Sequence, residues 1–484
     1  MTTFSKILKI IFLCVAIFYC TAMSFSQSDS SMYVTLGGVF EDGFNAVLFD
    51  TDSNLVFGGY TSSQNGNGTK GYLVKTDSLM NLLWSVTYSE YSDASFEDIV
   101  PNGEGYLAVG KLLNPSTSYD ILLAQFSEDG ELVWDKHLGG DDWDFGNSIS
   151  PISGGFLITG ETYSYSENAD AYAAKIDENG TVLWEKTFSS EFNELFNDGR
   201  ESGNELLMFG GEKKLDNENS EQWFVLTDNE GEVILERSYG TEGTNILHAV
   251  LADPIDETYF ILGEIYNTNT ESTNATMARL DDMGEVMWLD TIASSGTTKW
   301  LNAEIGRSNE LVCTGSILDA GFGNQGNDFF IKRITRTNTY VNQTTFGTNN
   351  DDYPEHFIRI ANAYIAVGRT DGLGQGQFDA FIIRTRNSGS DENFSTTENL
   401  DTTSDFFQRI EENTAPDSDF YYSDITNELY FPADTRTYSI YNLLGSKVQG
   451  STVNNRKISL NLKPGVYLVQ VNDSKISNKK ILLR

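Results

Sequence analysis

The stretch that decides the fold is "LGGDDWDFGNSISPISGGFLITGETYSYSENADAYAAKIDENGTVLWEKTF", residues 138–188. It contains four short apolar segments, "FGNSISPI", "GFLITGET", "AYAAKID" and "TVLWEKTF", separated by turns rich in Gly, Asn and Asp. Apolar residues alternate or cluster within each segment, and helical periodicity is absent. This pattern predicts four β-strands.

Two landmarks repeat this unit along the chain. A strand ending in glycine, such as "FLITG", recurs every 50 to 53 residues, and a turn followed by Trp, as in "DENGTVLW", comes after it in several units. The recurring glycines are Gly58, Gly110, Gly160, Gly210, Gly263, Gly315 and Gly368. Seven units of four strands favour an all-β fold, a seven-bladed β-propeller, over a solenoid.

The units resemble the bacterial seven-bladed β-propeller repeat, and the resemblance covers about residues 31–386. Leu235 and Asn342 replace the Trp of the pattern in two units. The resemblance implies the fold and leaves the function open, because propellers host many roles.

The last unit offers only three strands, so the ring needs a fourth from elsewhere. The segment "SMYVTLGG", residues 31–38, matches the fourth-strand pattern "LVWDKHLGG". We predict that 31–38 pairs with Phe378–Arg386, with Met32 in the position of Trp134, because this pairing would cover two open sheet edges. The predicted propeller then spans residues 27–386.

The N-terminal segment, residues 1–26, has the pattern of a signal peptide. Lys6 and Lys9 precede an apolar run, Ile10–Tyr19, that is too short for a stop-transfer helix. The mature chain is therefore predicted to be secreted without a membrane span. It would keep one cysteine, Cys313, which lies in an apolar strand and is expected in the core.

Residues 387–418 are polar and acidic and predict a flexible linker. Residues 419–484 predict a small β-sandwich. Their segments "IYNLLGSKV" and "LNLKPGVYLVQV" closely resemble the C-terminal sorting domain of the type IX secretion system of Bacteroidetes. The resemblance implies passage through the periplasm and recognition by the outer-membrane secretion machinery. Release or attachment at the cell surface would follow.

Composition narrows the function. The chain has 32 basic and 70 acidic residues, a net charge of −38, which opposes binding to nucleic acid. It has three His residues and no G-x-S-x-G, H-E-x-x-H or Walker motif, so an enzyme is not the favoured interpretation. No cofactor is indicated. Calcium remains possible, although the acidic segment 50–54 lacks the glycine and the final acid of a calcium loop.

The predicted ligand face follows from strand direction. Loops between second and third strands share a face with the connections between blades, which carry the acidic pairs Glu41-Asp42, Asp141-Asp142 and Asp351-Asp352. We expect these pairs to occupy one register. The predicted ligand-binding residues are Asp141, Asp142, Trp143, Asp351, Asp352 and Tyr353. Tyr163, Tyr165 and two glycine-rich loops, 319–328 and 371–379, are expected on the same face.

Carboxylates beside aromatic rings suit a glycan or a cation-assisted ligand. The favoured function is a secreted or cell-surface module for binding or adhesion, without catalysis, whose ligand is a glycan or a protein. Two alternatives stay open at this point: an extracellular polysaccharide-degrading enzyme that uses carboxylates, and a structural scaffold of the cell surface.

Overall fold

The computed structural model describes residues 32–483 with the following gaps: 64–67, 89, 204, 270, 293–295, 307–309, 319–325, 349, 361–362, 375–376, 387–420, 424–427, 431–436, 442–446, 453–456, 461, 463–464 and 473–475. The predicted signal peptide, the predicted linker and most of the 319–328 loop lie outside the described residues. Within them every regular element is a β-strand, and no helix could cross a membrane.

Seven four-stranded antiparallel sheets form the blades of a β-propeller, so the predicted fold class is confirmed. Blade 1 contains β2 (Asp42–Phe49), β3 (Leu55–Thr61), β4 (Lys70–Thr76) and β5 (Leu82–Tyr88). Blade 2 contains β6 (Ala94–Asn102), β7 (Gly105–Asn114), β8 (Ser118–Ser127) and β9 (Leu132–Leu138). Blade 3 contains β10 (Asp144–Ile152), β11 (Gly155–Thr162), β12 (Asp170–Ile176) and β13 (Val182–Phe188).

The remaining blades follow the same order. Blade 4 contains β14 (Glu194–Glu201), β15 (Leu207–Lys214), β16 (Ser220–Thr227) and β17 (Val233–Tyr239). Blade 5 contains β18 (Asn245–Ala252), β19 (Tyr259–Asn267), β20 (Ser272–Leu280) and β21 (Val286–Ile292). Blade 6 contains β22 (Thr298–Ile305), β23 (Glu310–Leu318), β24 (Asn327–Thr335) and β25 (Tyr340–Phe346).

Blade 7 is built from both ends of the propeller. It contains β26 (Asp352–Ile360), β27 (Ala363–Thr370) and β28 (Asp379–Arg386), and β1 (Met32–Leu36) is its outermost strand. Met32 pairs with Arg384, which pairs with Ile365. In blade 3 the matching positions are Trp184, Lys175 and Leu157. β1 thus takes the fourth-strand register, and the packing of β2 against β26 closes the ring.

An extra residue bulges from the first strand of every blade, because the register between the first and second strands shifts by one. The landmark glycine lies opposite this bulge. A Cβ on Gly160 would collide with the Phe145 carbonyl oxygen, and one on Gly110 would collide with that of Ser95. Glycine therefore recurs because the bulged backbone leaves no room for a side chain.

In blades 1 and 4 the glycine chosen from the sequence pattern is not the one opposite the bulge. There the residues opposite the bulge are Gly59 and Gly211, one position after the Gly58 and Gly210 of the sequence pattern. Both blades carry a Gly-Gly pair at this place, so the sequence alone did not distinguish the two.

Blades are joined by apolar side chains and by the recurring Trp. Phe188 of blade 3 lies 5.1 Å from Phe196 of blade 4 between ring centroids, within a shared buried cluster. The Trp184 indole donates a hydrogen bond of 3.0 Å to the Asn229 carbonyl in the turn of the next blade. Trp84 and Trp288 make the equivalent bonds, so this position stabilises the contact between neighbouring blades.

The acidic pairs do not share one register, contrary to the sequence expectation. Asp42 pairs with Thr61 and Asp352 with Thr370, whereas the residue in that position of blade 3 is Asp144, which pairs with Thr162. The connection between blades has the same length in all three places, so Asp141-Asp142 lies earlier within it. The acidic pair was therefore the wrong landmark for aligning these connections.

The C-terminal unit begins at Ile410, and its described strands form two antiparallel sheets. One sheet contains β29 (Tyr421–Ser423), β30 (Glu428–Tyr430) and β33 (Lys457–Ser459). The other contains β31 (Thr437–Tyr441), β32 (Lys447–Thr452), β34 (Gly465–Asn472) and β35 (Ile476–Leu483). Tyr438, Ile440 and Val469 are buried in this unit.

Candidate functional site

Trp143 lies at the centre of a partly exposed group of aromatic rings between blades 2 and 3. Its side chain is 49% exposed, and the ring centroids of Tyr119, Phe145 and Tyr163 lie 6.2–6.3 Å from its own. Tyr165 is 51% exposed in the same β11–β12 loop as Tyr163. We call Tyr119, Trp143, Phe145 and Tyr163 the aromatic patch.

Local hydrogen bonds hold the patch in place. The Asp142 amide donates to Ser164 Oγ at 3.0 Å, and Ser164 Oγ donates to the buried Asp144 carboxylate at 2.9 Å. The Trp143 amide donates to Asp142 Oδ1 at 2.9 Å, and its carbonyl accepts from the Tyr163 amide at 2.8 Å. The connection between blades and the β11–β12 loop therefore lie side by side, as strand direction predicted.

The carboxylates around the patch differ in availability. Asp141 and Asp142 are exposed. Asp144 is fully buried, and burial raises its pKa even though Thr162, Gly140 and Ser164 donate hydrogen bonds to it. Asp144 therefore stabilises the connection, while Asp141 and Asp142 face solvent beside the rings.

The other three predicted residues lie at the start of blade 7. Asp351 Oδ1 accepts hydrogen bonds from the Asn327 amide at 2.8 Å and from its side chain at 3.1 Å. Asp352 is fully buried, its carboxylate accepts a hydrogen bond from the Thr348 amide, and burial raises its pKa to about 6. These two acids are engaged within the protein itself.

Tyr353 belongs to a second aromatic group. The Arg369 guanidinium lies 5.2 Å above the Tyr353 ring and 5.3 Å above that of Phe378, and it donates to the Tyr60 hydroxyl at 3.0 Å. Blade 7 is not adjacent to blade 3 in the ring. The structure therefore brings Asp141, Asp142 and Trp143 together in one place, and Asp351, Asp352 and Tyr353 together in another.

In the acidic segment 50–54, the Asp50 side chain is bonded to other groups of the protein. Asp50 accepts from the Asp52 and Asn54 amides at 2.9 and 2.8 Å, and it forms a 3.0 Å ion pair with Lys75. Among the described residues, no three His, Cys, Asp or Glu side chains are arranged to hold a metal ion.

A polar cavity lies at the axis of the ring and was not identified from the sequence. Its volume is about 250 Å³, and all seven first strands contribute to its wall. The bulged residues that line it are Asn45, Glu97, Asn147, Asn197, His248, Leu301 and Glu355. A bulge turns two consecutive side chains toward one side of a strand, so their neighbours Asp98, Asp198 and His356 also line the cavity.

Hydrogen bonds between blades fix many of these side chains. The side-chain Nδ2 of Asn147 donates to the Phe196 carbonyl at 3.0 Å, and that of Asn197 donates to the Leu247 carbonyl at 2.9 Å. Each of these carbonyls belongs to the residue before the bulge of the next blade. Asp98 accepts from the Ile149 amide at 3.0 Å, and burial raises its pKa to about 7. Asp198 accepts from the Val250 amide at 3.0 Å and pairs with Arg200 Nε at 3.0 Å.

The sequence did carry a signal for this ring of residues. The motifs "FNAV", "FEDI", "GNSI", "FNDG" and "LHAV" begin at residues 44, 96, 146, 196 and 247, and each has a polar residue at its second position. Aligning the units on their first strands, instead of on glycine and Trp, would have shown that these polar residues share one place.

Comparison with known proteins identifies the C-terminal part of the chain. Residues 420–484 match the family described as "Secretion system C-terminal sorting domain". No curated protein matches the chain significantly.

Three solved structures illustrate the similarity found for the rest of the chain, which is low in both identity and TM-score. The WD40 domain of Pan2 from Neurospora crassa is 11% identical, with a TM-score of 0.46, over 75% of this chain and 98% of that domain. The β-propeller domain of the Trilobed protease from Pyrococcus furiosus is 12% identical, with a TM-score of 0.42, over 76% and 100%. A protein of unknown function from Bacteroides caccae is 10% identical, with a TM-score of 0.37, over 65% and 94%.

The tail is the part whose family is shown, and it determines where the protein goes. A domain of this kind directs export through the type IX secretion system. Residues 420–484 are thus a secretion system C-terminal sorting domain, and the protein is exported to the cell surface or the extracellular space.

Proposed function

We propose that this protein is an extracellular binding module without catalytic activity, and that its ligand is a glycan bound at the aromatic patch. The observation that carries the proposal is the position of Trp143, half exposed among three other rings and beside the exposed Asp141 and Asp142. Rigid aromatic rings stack on the apolar faces of sugars, and nearby carboxylates accept hydrogen bonds from sugar hydroxyls.

Patch geometry supports binding in two ways. The Trp143 backbone is fixed by bonds to Asp142 and Tyr163, so little conformational entropy is lost when a ligand stacks on the ring. Exposed groups of apolar rings on a soluble protein commonly mark a binding surface. In blade 7 the Tyr353 ring is a second proposed stacking group, whereas Asp351 and Asp352 are bonded within the protein and position the start of the strand that carries it.

The test is a polysaccharide-binding screen of the full-length protein, followed by titration of the tightest ligand. Trp143→Ala should weaken binding at least about tenfold, the scale of an aromatic hot spot. Val133→Ala is the matched control, because Val133 is a 60% exposed apolar side chain on β9 outside the patch. Equal affinities of wild type and Trp143→Ala would contradict the patch, and Tyr353→Ala tests the second contact in the same way.

A further inference from the structure

The axial cavity differs chemically from the aromatic patch, because polar side chains dominate its wall. Leu301 and Ala249 are the two apolar residues among the fourteen that line it. Its volume of about 250 Å³ is just below the ~300–1,000 Å³ of pockets for drug-sized ligands. The cavity therefore suits a small hydrophilic molecule.

The wall presents acceptor atoms to a ligand, among them its carboxylates and asparagine oxygens. Asn147 and Asn197 each use one Nδ2 N–H in a bond between blades, which leaves Oδ1 and the second N–H of each for other partners. Asn45 Nδ2 is also committed, to the Phe96 carbonyl and to Glu97. A wall rich in acceptors favours a ligand with several O–H or N–H donors.

Charge in the cavity is unbalanced. Four carboxylates, Glu97, Asp98, Asp198 and Glu355, line it together with one guanidinium, Arg200. Arg200 is paired with Asp198, and the nearest cation to Glu97 is Lys111, at 3.9 Å. The strongly negative chain adds to the attraction of this site for a cation.

Glu355 is the cavity acid whose positive neighbours lie beyond ion-pair distance. Lys299 and Arg369 attract its charge, but neither forms a salt bridge with it. Among the described residues, its carboxylate has neither a hydrogen-bond donor nor an ion-pair partner, although Asp98, Asp198 and Glu97 all do. Burial accordingly raises the pKa of Glu355. A half-buried carboxylate gains most from a ligand that supplies a positive charge and donors at once.

The neighbouring His356 presents a donor beside this acid. His356 Nδ1 accepts a hydrogen bond of 3.4 Å from the Val47 amide, so the proton of the neutral ring is on Nε2. Burial and the nearby Arg200 lower the pKa of His356 to about 4, and the ring is therefore neutral near pH 7. Nε2–H remains to donate to a ligand hydroxyl.

We propose that the axial cavity binds a small organic ammonium that carries hydroxyl groups, the chemical class of amino sugars and amino alcohols, with its ammonium group paired to Glu355. A metal ion fits less well, because no three His, Cys, Asp or Glu side chains among the described residues are arranged to hold one. An ammonium group, by contrast, is satisfied by one carboxylate and a few amide oxygens.

The test is calorimetric titration of the full-length protein with D-glucosamine, D-glucose and N-acetyl-D-glucosamine. The three probes share one ring and differ in charge. Glucosamine should bind saturably, at least tenfold more tightly than either neutral sugar. Failure of glucosamine to bind, or equal affinity for all three, would overturn the proposal using the wild-type protein alone.

Two variants locate the site. Glu355→Gln should reduce glucosamine affinity at least tenfold, and it should fold because it replaces a carboxylate of raised pKa by a neutral group of the same shape. Glu161→Gln is the matched control, since Glu161 is a half-buried carboxylate of raised pKa on β11 that does not line the cavity. Unchanged affinity in Glu355→Gln would overturn the proposal. Trp143→Ala should bind glucosamine normally, which separates this site from the glycan patch.

Discussion

Individual acidic residues of this protein have different roles that depend on burial. Asp42, Asp144 and Asp352 each begin the first strand of a blade and are buried. Asp141 and Asp142, in contrast, are exposed. The amides of Gly38 and Gly140 donate to Asp42 and Asp144 at 2.8 Å. The recurring acids therefore hold the connections between blades, whereas Asp141 and Asp142 lie at the surface.

Asp352 should make stability depend on pH. Its folded pKa of about 6 lies above the usual aspartate pKa of 3.8, so the folded state binds the proton more tightly, and stability falls as pH rises through this window. We expect wild type to lose about 2 kcal/mol between pH 4 and pH 7 relative to Asp352→Asn. Asn is acceptable here because Asn245 occupies the matching position of blade 5.

The measurement is urea unfolding of both proteins across that pH range. Asp129→Asn, in an exposed turn, is the control and should keep the wild-type pH dependence. If the free energy of unfolding depends on pH in the same way for wild type and Asp352→Asn, Asp352 is not the cause of the loss of stability.

At the scale of the element, β1 is the strand on which ring closure depends. Its Val34 and Leu36 side chains are 6% and 5% exposed and pack in the core between blades 7 and 1. Deleting residues 27–38 should lower the free energy of unfolding by several kcal/mol, because it removes this burial and opens the edge of β28.

Thermal and denaturant unfolding of that deletion measure the effect. Deleting residues 27–30 alone leaves β1 intact and should change little. A deletion of 27–38 with the wild-type melting temperature would contradict closure by β1.

The recurring Trp should stabilise contacts between blades. Trp184→Leu removes the bond to the Asn229 carbonyl and part of the buried ring, so we expect a loss of about 1–3 kcal/mol. Leu235 at the matching position of blade 4 shows that the fold accepts this side chain. Val133→Ala, which changes an exposed side chain, should stay within about 0.5 kcal/mol of wild type in the same denaturant titration. Equal stability of Trp184→Leu and wild type would contradict this role.

Strand number and order could be predicted from sequence because apolar alternation and turn residues repeat in every unit. The axial cavity could not, since a bulge interrupts the period of two and places adjacent residues such as Glu355 and His356 on one side. The acidic pairs misled the alignment because surface acids are not constrained to one position. Trp143 was among the predicted ligand-binding residues. The rings that contact it, Tyr119 and Phe145, lie on separate strands, so their proximity to Trp143 could be seen only in the fold.

At the scale of the whole molecule, the propeller and the tail are separate units of the chain. A protein of residues 27–390 should therefore fold with the melting temperature of the propeller in the full chain, as followed by circular dichroism and calorimetry. A large drop in that temperature would show that the tail contributes to propeller stability. Export, in contrast, should be lost without residues 420–484.

The central claim is that the exported propeller binds a glycan without cleaving it. The most direct measurement incubates the full-length protein with the polysaccharide that it retains best and follows the bound fraction and the release of reducing ends together. We predict saturable retention with no new reducing ends. Reducing ends that accumulate in proportion to protein concentration and time would contradict the claim and identify a polysaccharide-degrading enzyme.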